Sequence, residues 1–296
     1  MTFKDKLKQK QTMINDVISR YLPQSSSYQK TILESISYSI SSGGKRIRPI
    51  LMEETYRLFG GNSNVIDPFL VAIEMIHTYS LVHDDLPSLD NDDYRRGRLT
   101  THKKFGEDMA ILTGDAMLNY SFEIMAQACV NNENEARELN KAMYFLAKKA
   151  GIYGMIGGQV VDVESENKDI PLEQLNFIHK HKTAALIEAA MVVGAIIAKA
   201  QDEEVQLISN IGQRIGLAFQ IQDDILDITS SMQVLGKPIN SDNKNKKSTY
   251  VQYYGLEKSK EHIKKLSYDA TRKIKMINKN NTFLIELVNY LIYREK

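Results

Sequence analysis

The sequence predicts an all-α fold, a single-domain helical bundle over residues 1–296, and three observations predict it. Apolar residues recur at spacings of three and four along most of the chain, as they do on the buried face of an α-helix. Alternating strand patterns bounded by hairpin dipeptides are absent. The six prolines lie at or near expected helix ends or in loops, where proline interrupts no helix.

The expected helices follow one another along the chain and are separated by polar loops. Residues 1–22 form a charged amphipathic helix. Residues 66–85 form an apolar helix that starts at Asp67-Pro68, an N-cap followed by proline in the first turn. Longer helices of the same kind are expected over residues 172–200 and 203–229. We find no internal repeat and no low-complexity linker, so the sequence predicts one domain.

A glycine-rich segment, GIYGMIGGQVVD, occupies residues 151–162. No strand precedes it, which argues against a dinucleotide-binding turn. We expect its glycines, at positions 151, 154, 157 and 158, to let two helices approach closely.

Composition narrows the possible partners and the compartment. The chain has 38 basic and 37 acidic side chains and a net charge of +1, which gives no general reason to bind nucleic acid. One cysteine, Cys129, cannot form an internal disulfide framework and suits a reducing compartment. The N-terminus has no apolar signal core, and no run reaches the roughly 18 apolar residues of a membrane span. We therefore expect a cytoplasmic protein without stable membrane insertion.

Two acidic motifs stand out from this background. The first acidic motif places five aspartates within ten residues at the end of the apolar helix, with Asp84 on its last turn and Asp90 just beyond it: Asp84, Asp85, Asp90, Asp92 and Asp93. The second acidic motif, Asp223, Asp224 and Asp227, interrupts another apolar helix, on which positions 223 and 227 lie one turn apart on one face. Either motif alone could be a solvated turn or helix end. Two motifs facing one another would form an oxygen-rich cage suited to Mg²⁺.

Basic residues near turns indicate what such a metal would hold. Lys45 and Arg48 lie in SGGKRIRP, a loop that leads into a helix start, where backbone N–H groups already favour an anion. Further isolated cations lie near turns: Arg95, Arg96, Lys182 and Lys237. Each alone could be a surface charge. Together with two acidic motifs they predict two anionic substrates, one bound through metal and one bound directly by cations.

At these residues the chain resembles the short-chain trans-isoprenyl diphosphate synthase family, and within it the bacterial farnesyl-forming branch. The family's first aspartate-rich motif, in its bacterial form with two inserted residues, matches DDLPSLD at 84–90 and continues into RRG at 95–97. The second matches DDILD at 223–227, preceded by Phe219 and Gln220. The segments GGKRIRP, GGQVVD, HKTAAL and GKPINSDNKNKKSTY fall in family order, so the resemblance covers nearly the whole chain.

The resemblance implies a fold, a reaction and partners. The fold is a helical bundle of the isoprenoid synthase type with a central active-site cavity. The reaction is condensation of isopentenyl diphosphate with dimethylallyl or geranyl diphosphate to give farnesyl diphosphate, through Mg²⁺-assisted ionisation, condensation and elimination. The resemblance also implies up to three Mg²⁺ ions and a homodimer.

The resemblance further implies a role for each matching residue. The Mg²⁺ ligands would be Asp84, Asp85, Asp90, Asp223, Asp224 and Asp227. Contacts to the allylic diphosphate would come from Arg95, Lys182 and Lys237. Isopentenyl diphosphate would be held by Lys45, Arg48, His77 and Arg96. The developing allylic cation would be faced by Thr183 and Gln220, with Phe219 also in the substrate site.

Product length is expected to depend on Tyr79, five residues before Asp84 on the same helix. A rise of about 1.5 Å per residue puts its ring roughly 7–8 Å from the metal site along the axis. Neighbours such as Ser80 and Met75 would share the wall. In the resemblance, an aromatic residue at this position accompanies farnesyl products.

Three alternatives stay open at this point. A geranylgeranyl or longer-chain synthase would keep every catalytic residue and differ only at the pocket floor. A terpene cyclase would have no second diphosphate substrate and no use for the loop that carries Lys45 and Arg48. A non-catalytic subunit of a heteromeric synthase would be a binding protein, although such subunits usually lose an aspartate motif.

Overall fold

The computed structural model of the chain describes residues 1–24, 28–235, 248–277 and 279–293. Within them the fold is almost entirely helical, which confirms the predicted all-α class. The helices are α1 Phe3–Tyr21, α2 Lys30–Ile40, α3 Ile47–Leu58, α4 Asp67–Asp84, α5 Thr101–Phe105, α6 Glu107–Asn131, α7 Ala136–Ala150, α8 Met155–Glu164, α9 Leu172–Ile178, α10 Ala185–Ile197, α11 Asp202–Leu235, α12 Tyr250–Tyr254, α13 Leu256–Met276 and α14 Thr282–Ile292.

The chain divides into two compact units. The first comprises Met1–Tyr144 with Ile196–Lys199, and the second comprises Phe145–Ala195 with Ala200–Lys296. The single domain and the central cavity expected from the sequence stay predictions.

Helix α4 forms the core of the first unit. It packs against α1, α2, α3 and α6, and most of its residues are buried. Apolar side chains surround this helix on all sides, as expected for a core helix. In the described residues, Asn64–Asp84 alone is long and apolar enough to cross a membrane, and 78% of that window is buried inside the protein. The length and apolar character of α4 are therefore explained by its place in the core.

Helix α11 organises the second unit. It packs against α12, α13, α14 and the segment His179–Ala184, and α8 contacts the same segment. On α11 the buried isoleucines at 208, 211, 215, 221 and 225 lie toward the core. The spacing of these residues is the helical pattern that the sequence analysis used, and it explains why α11 runs unbroken through the second acidic motif.

Two expectations from the sequence are wrong in detail. A short antiparallel hairpin forms where no strand was expected: β1 is Tyr94–Arg95 and β2 is Arg98–Leu99. The helix expected over residues 172–200 is not continuous, because a π-helical turn at His179–Ala184 separates α9 from α10.

Candidate active site

The first acidic motif lies at the C-terminal end of α4. Asp84 is the last residue of this helix, and the backbone N–H of Asp90 donates to the carbonyl oxygen of Asp84 at 2.9 Å. Asn91 follows in the left-handed region, at φ 52°, which lets the chain turn back. The turn thus brings the backbones of Asp84 and Asp90 together. A helix C-terminus disfavours carboxylates, so the motif is not placed there for stability.

The second aspartate of this motif is turned into the protein. Asp85 is 3% exposed, and the guanidinium of Arg95 donates from Nε at 2.8 Å and forms an ion pair from Nη2 at 2.6 Å, both to Oδ1. Burial raises the pKa of Asp85, and Arg95 opposes that shift. The resemblance implied separate roles for these two residues, Asp85 at a metal ion and Arg95 at a diphosphate. The structure pairs them with each other, and their ligand roles stay predictions.

The hairpin carries Arg96 onto the glycine loop that precedes α3. Arg96 adopts φ 53°, and its guanidinium donates to the carbonyl oxygen of Gly43. Gly44 adopts φ 132°, which other residues rarely adopt, and a Cβ atom there would lie 2.7 Å from Nη1 of Arg96, so glycine is favoured at this position. The loop is also fixed by Arg46, which is buried and forms an ion pair with Glu74 of α4 at 2.5 Å. The sequence analysis assigned no role to this pair.

Four arginines act on the imidazole of His77. Burial lowers the pKa of His77 well below its usual range, and the positive charges of Arg48, Arg96, Arg95 and Arg46 lower it further. A histidine shifted this far is neutral near pH 7, so its ring can donate one hydrogen bond without adding charge. The charges of Arg48 and Arg96 therefore act on His77, and these are three of the four residues expected to hold one diphosphate. The fourth residue, Lys45, is exposed in the glycine loop that precedes α3.

The π-helical turn carries two of the predicted catalytic residues. Nζ of Lys182 donates to Oδ2 of Asp162 on α8 at 2.7 Å, and Oγ1 of Thr183 donates to Oε1 of Gln220 on α11 at 2.7 Å. π-helical turns inside helices are frequently found at functional sites. Asp162 is the last residue of the GGQVVD segment, which falls in family order. That position could have identified Asp162 as a site residue, but no role was predicted for it.

Helices α8 and α11 approach the π-helical turn through glycine. A Cβ atom at Gly158 would lie 2.2 Å from the backbone nitrogen of Lys182, and one at Gly216 would lie 2.4 Å from Cβ of Ala184. Close approach at Gly158 confirms the role expected for that glycine.

The second acidic motif presents its three carboxylates differently. Asp223 is half-buried, Asp224 is buried and Asp227 is exposed. Phe219 and Gln220 are half-buried one turn earlier on α11. Lys237 lies outside the described residues, so its expected diphosphate contact has no structural counterpart here.

Tyr79 lies inside the first unit near the end of α4. It is 5% exposed, its ring makes an edge contact with His83 at 5.8 Å between centroids, and its hydroxyl has no hydrogen-bond partner among the described residues. Burial, with a smaller effect of Asp84, raises the pKa of Tyr79 to about 12. Met75 is fully buried and Ser80 is half-buried beside it. A buried aromatic ring with an unsatisfied hydroxyl suits a wall better than a hydrogen-bonded core position.

Comparisons with known proteins identify the family. The polyprenyl synthetase model matches residues 29–284. The chain belongs to the polyprenyl synthetase family. It is 44% identical to farnesyl diphosphate synthase from Micrococcus luteus, over 96% of this chain and 95% of that protein. It is 47% identical to chloroplastic geranylgeranyl pyrophosphate synthase from Catharanthus roseus, over 89% of this chain and 74% of that protein.

A solved structure agrees with this placement. The crystal structure of an apo FPP/GFPP synthase from Zymomonas mobilis superposes with a TM-score of 0.86, at 30% identity, and 98% of each chain is covered. The polyprenyl synthetase chain described here is therefore a prenyltransferase of isoprenoid synthesis with an isoprenoid synthase helical fold, as the sequence predicted. Product length is not decided by these comparisons, since farnesyl and geranylgeranyl synthases are equally similar to it.

Members of the polyprenyl synthetase family generally use Mg²⁺, and the donors in this chain fit that ion. Both acidic motifs offer carboxylate oxygens, which hard cations prefer, and no soft ligand lies among them. Among the described residues, no group of three His, Cys, Asp or Glu side chains is arranged to hold a metal ion. Mg²⁺ is commonly bound by one or two carboxylates with waters and substrate phosphates, so a complete protein cage is not required.

The close approach at Gly158 gives a first testable prediction. Gly158→Ala is expected to displace the backbone at Lys182, because the new methyl group would overlap it. Overpacking of this kind costs about 1–3 kcal/mol and would move Nζ of Lys182 away from Asp162. We expect a lower thermal midpoint together with at least a tenfold lower kcat.

The matched control is Gly151→Ala in the same segment. A Cβ atom there meets only the carbonyl oxygen of Ala147, at 3.0 Å. We expect this variant to keep wild-type turnover. A Gly158→Ala enzyme with both wild-type stability and wild-type kcat would contradict the steric argument.

Proposed function

We propose that this prenyltransferase condenses isopentenyl diphosphate with dimethylallyl or geranyl diphosphate and releases farnesyl diphosphate as its main product. The observation that carries the proposal is the arginine cluster acting on neutral His77, two turns before Asp84 on the same helix. A cationic pocket for one diphosphate beside an acidic motif for metal is what a two-diphosphate condensation needs.

In this proposal the residues of the first unit serve isopentenyl diphosphate and metal. Isopentenyl diphosphate is held by Lys45, Arg48, His77 and Arg96. Arginine binds diphosphate oxygens through two parallel N–H groups, which fixes the substrate's orientation as well as its charge. The first acidic motif supplies Mg²⁺ ligands from Asp84, Asp85 and Asp90.

A second set of residues serves the allylic substrate in this proposal. The diphosphate is contacted by Arg95, Lys182 and Lys237, and Mg²⁺ ligands come from Asp223, Asp224 and Asp227. Phe219 lines the hydrocarbon of the substrate. Oxygens of Thr183 and Gln220 face the carbon that becomes positive when the diphosphate leaves.

The chemistry follows from these assignments. Bound Mg²⁺ supplies Lewis acidity that neutralises the leaving diphosphate. Cationic side chains stabilise the same charge as it develops, so the carbon–oxygen bond of the allylic substrate breaks. The double bond of isopentenyl diphosphate attacks the resulting cation, and a proton is lost to the departed diphosphate. Water must be excluded because it would trap the cation.

Other parts of the proposal concern product, assembly and location. The buried ring of Tyr79 favours farnesyl over geranylgeranyl diphosphate, which is the alternative that the relatives keep open.

We further propose a cytoplasmic homodimer. Exposed apolar side chains on α6, Ile111 at 42% and Leu112 at 54%, are available for a subunit contact. Sedimentation velocity tests the dimer, and a monomer would contradict it.

One assay tests the function as a whole. Purified protein is incubated with Mg²⁺, isopentenyl diphosphate and either dimethylallyl or geranyl diphosphate, and the products are separated by chain length. We expect a C15 product from both allylic substrates. A cyclic hydrocarbon would indicate a terpene cyclase, a C20 product would indicate a geranylgeranyl synthase, and absence of any product would favour a non-catalytic subunit.

The assignment of Arg48 to isopentenyl diphosphate gives a second prediction. Losing one charge-assisted contact costs about 1.5–3 kcal/mol, or roughly tenfold to a hundredfold in affinity. Arg48→Ala should therefore raise KM for isopentenyl diphosphate by that factor and change KM for geranyl diphosphate by less than about threefold.

The control for Arg48 is Arg98→Ala. Arg98 lies on the hairpin, stacks on the ring of Tyr38 at 4.2 Å and donates to the carbonyl oxygen of Ser41. The Arg98→Ala substitution also removes one positive charge from the first unit, but Arg98 is not one of the four arginines that act on His77. Equal increases of both KM values in Arg48→Ala would contradict the assignment.

A further inference from the structure

One carboxylate of the second acidic motif is enclosed by the protein. Asp224 is 6% exposed. Its Oδ1 accepts from Nε2 of Gln220 at 3.1 Å, and its Oδ2 accepts from the backbone N–H of Tyr250, the first residue of α12, at 2.8 Å. Both oxygens are therefore engaged by the protein. Each oxygen keeps a second lone pair, but a buried carboxylate whose two oxygens already accept from the protein offers a hydrated Mg²⁺ ion poor access.

The contact with Asp224 decides how Gln220 is oriented. An ionised carboxylate only accepts hydrogen bonds, so the amide nitrogen of Gln220 must face Asp224 and its oxygen must face the other way. That oxygen accepts the hydroxyl hydrogen of Thr183 at 2.7 Å. The orientation follows from the donors and acceptors themselves and does not depend on how the amide atoms are labelled.

The same chain of contacts decides what Thr183 presents. Because its hydroxyl hydrogen is donated to Gln220, only oxygen lone pairs remain for any other neighbour. The chain runs from a carboxylate through an amide to a hydroxyl, and each hydrogen bond polarises the next in the same sense. Negative charge buried at Asp224 thus makes the oxygen of Thr183 more electron-rich without placing a carboxylate beside a reactive carbon.

Burial raises the pKa of Asp224, and the hydrogen bonds from the backbone N–H of Tyr250 and from Gln220 oppose that shift because they favour the charged form. Nε2 of His179 lies 3.6 Å from Oδ2 of Asp224. The hydroxyl of Tyr250 lies instead 2.8 Å from Nδ1 of His262, which anchors α12 to α13.

We propose that Asp224 is a positioning residue and not a Mg²⁺ ligand: it fixes the amide of Gln220 so that Thr183 directs lone pairs at the developing allylic cation. The inference rests on the proposed function for the identity of that cation. It replaces the Mg²⁺-ligand role that the resemblance implied for Asp224 and that the proposed function carried over, and it leaves Asp223 and Asp227 as the metal-binding carboxylates of this motif.

The first test is Asp224→Asn, which keeps the size of the side chain. Its oxygen can keep the bond to Tyr250, but its NH₂ group then faces Gln220. The amide of Gln220 must then flip so that its oxygen faces the new amide at position 224 and its NH₂ group faces Thr183. The hydroxyl oxygen of Thr183 accepts from that NH₂ group, so its hydroxyl hydrogen points at the cation. Loss of one preorganised group of this kind lowers kcat by about a hundredfold. We expect that loss with both KM values changed by less than about twofold.

A measurement without turnover separates positioning from metal binding. Inorganic diphosphate is titrated into the protein at fixed Mg²⁺ and followed by isothermal calorimetry. Asp224→Asn should bind within about twofold of wild type, whereas Asp223→Asn should bind much more weakly. Equal weakening in both variants would show that Asp224 is a ligand and would overturn the proposal.

A double variant tests the orientation directly. In Gln220→Glu with Asp224→Asn, the amide NH₂ of residue 224 donates to the new carboxylate, which also accepts from Thr183. Each donor in this chain of hydrogen bonds then has an acceptor again, and the net charge of the pair is the same as in wild type. We expect at least a tenfold recovery of kcat over Asp224→Asn alone, a coupling that a purely structural role would not give. No recovery would overturn the proposal.

The control is Tyr250→Phe, which removes the contact with His262 and keeps the N–H bond to Asp224. We expect its kcat within about twofold of wild type, with a lower thermal midpoint. A loss as large as that of Asp224→Asn would show that general disruption of α12 is responsible. Wild-type protein that forms no prenyl product would contradict the proposed function, and the calorimetry would still decide whether Asp224 binds metal.

Discussion

Replacing Asp84 or Asp223 with alanine is expected to lower kcat by about a thousandfold or more while the helical fold persists. Each removes a carboxylate proposed to hold Mg²⁺ at the leaving diphosphate. Lewis-acid stabilisation of that charge contributes several kcal/mol, and each 1.36 kcal/mol is a factor of ten in rate. The measurement is single-turnover condensation of geranyl with isopentenyl diphosphate, with circular dichroism to monitor the fold.

In Asp84→Ala the thermal midpoint should not fall as kcat does. This residue ends α4, where the helix dipole disfavours negative charge, so alanine is expected to keep or slightly raise the thermal midpoint. The control is Asp93→Ala, an exposed aspartate of the same motif that forms an ion pair with Lys103 at 2.8 Å. It should keep kcat within about twofold. Near-normal turnover in Asp223→Ala would remove the basis for metal binding at the second motif.

Helix α4 shows why much of the fold could be predicted from the sequence. Pro68 in the first turn and apolar residues on every side predict a buried helix that begins near Asp67, and the structure has α4 from Asp67 to Asp84. Both signals are local: one fixes the helix start and the other is the composition of the segment itself.

The π-helical turn at His179–Ala184 could not be predicted in that way. Its sequence continues an ordinary helical pattern, and what distinguishes it is tertiary contact. Gly158 of α8 and Gly216 of α11 both pack closely against it, and Lys182 is drawn to Asp162. A spacing rule describes one helix at a time and carries no information about the two others.

The hairpin was missed for a different reason. Its two-residue turn, Arg96-Gly97, has positive φ at both positions, as in a type I′ turn. Asparagine or aspartate usually precedes glycine in such turns, so arginine at 96 gives no turn signal. The conformation is held instead by the bond from Arg96 to Gly43, which lies 53 residues away in sequence.

For the acidic motifs, residue spacing likewise predicted where the aspartates lie but not which groups they contact. Spacing predicted that aspartates would gather at the end of α4 and along α11, and they do. It could not show that the second aspartate of each motif turns inward, Asp85 to Arg95 and Asp224 to Gln220 and Tyr250. Arg95 reaches Asp85 from the hairpin and Tyr250 reaches Asp224 from α12, and helical spacing describes neither contact; Gln220 lies one turn earlier on α11 itself. Motif membership alone therefore does not identify a metal ligand.

Replacing Tyr79 with alanine is expected to change the main product from C15 to C20 or longer. The ring is buried and close to the end of α4, where it is proposed to stop the growing hydrocarbon. Truncation to alanine removes the ring and leaves a cavity, at a cost of about 3–5 kcal/mol when an aromatic core residue is lost. Product lengths are read by chromatography of dephosphorylated alcohols, with thermal midpoints recorded in parallel, and Tyr79→Ser should act in the same direction.

Tyr79→Phe is the control that separates a wall from a hydrogen-bonding role. The hydroxyl of Tyr79 is buried without a partner among the described residues, so its removal should keep or raise stability. The ring remains, and so should the C15 product. If the tyrosine acted through its hydroxyl, phenylalanine would lengthen the product as alanine does. If Tyr79→Ala still stops at fifteen carbons at an undiminished rate, the floor lies elsewhere, because no other consequence of that truncation would leave both length and rate unchanged.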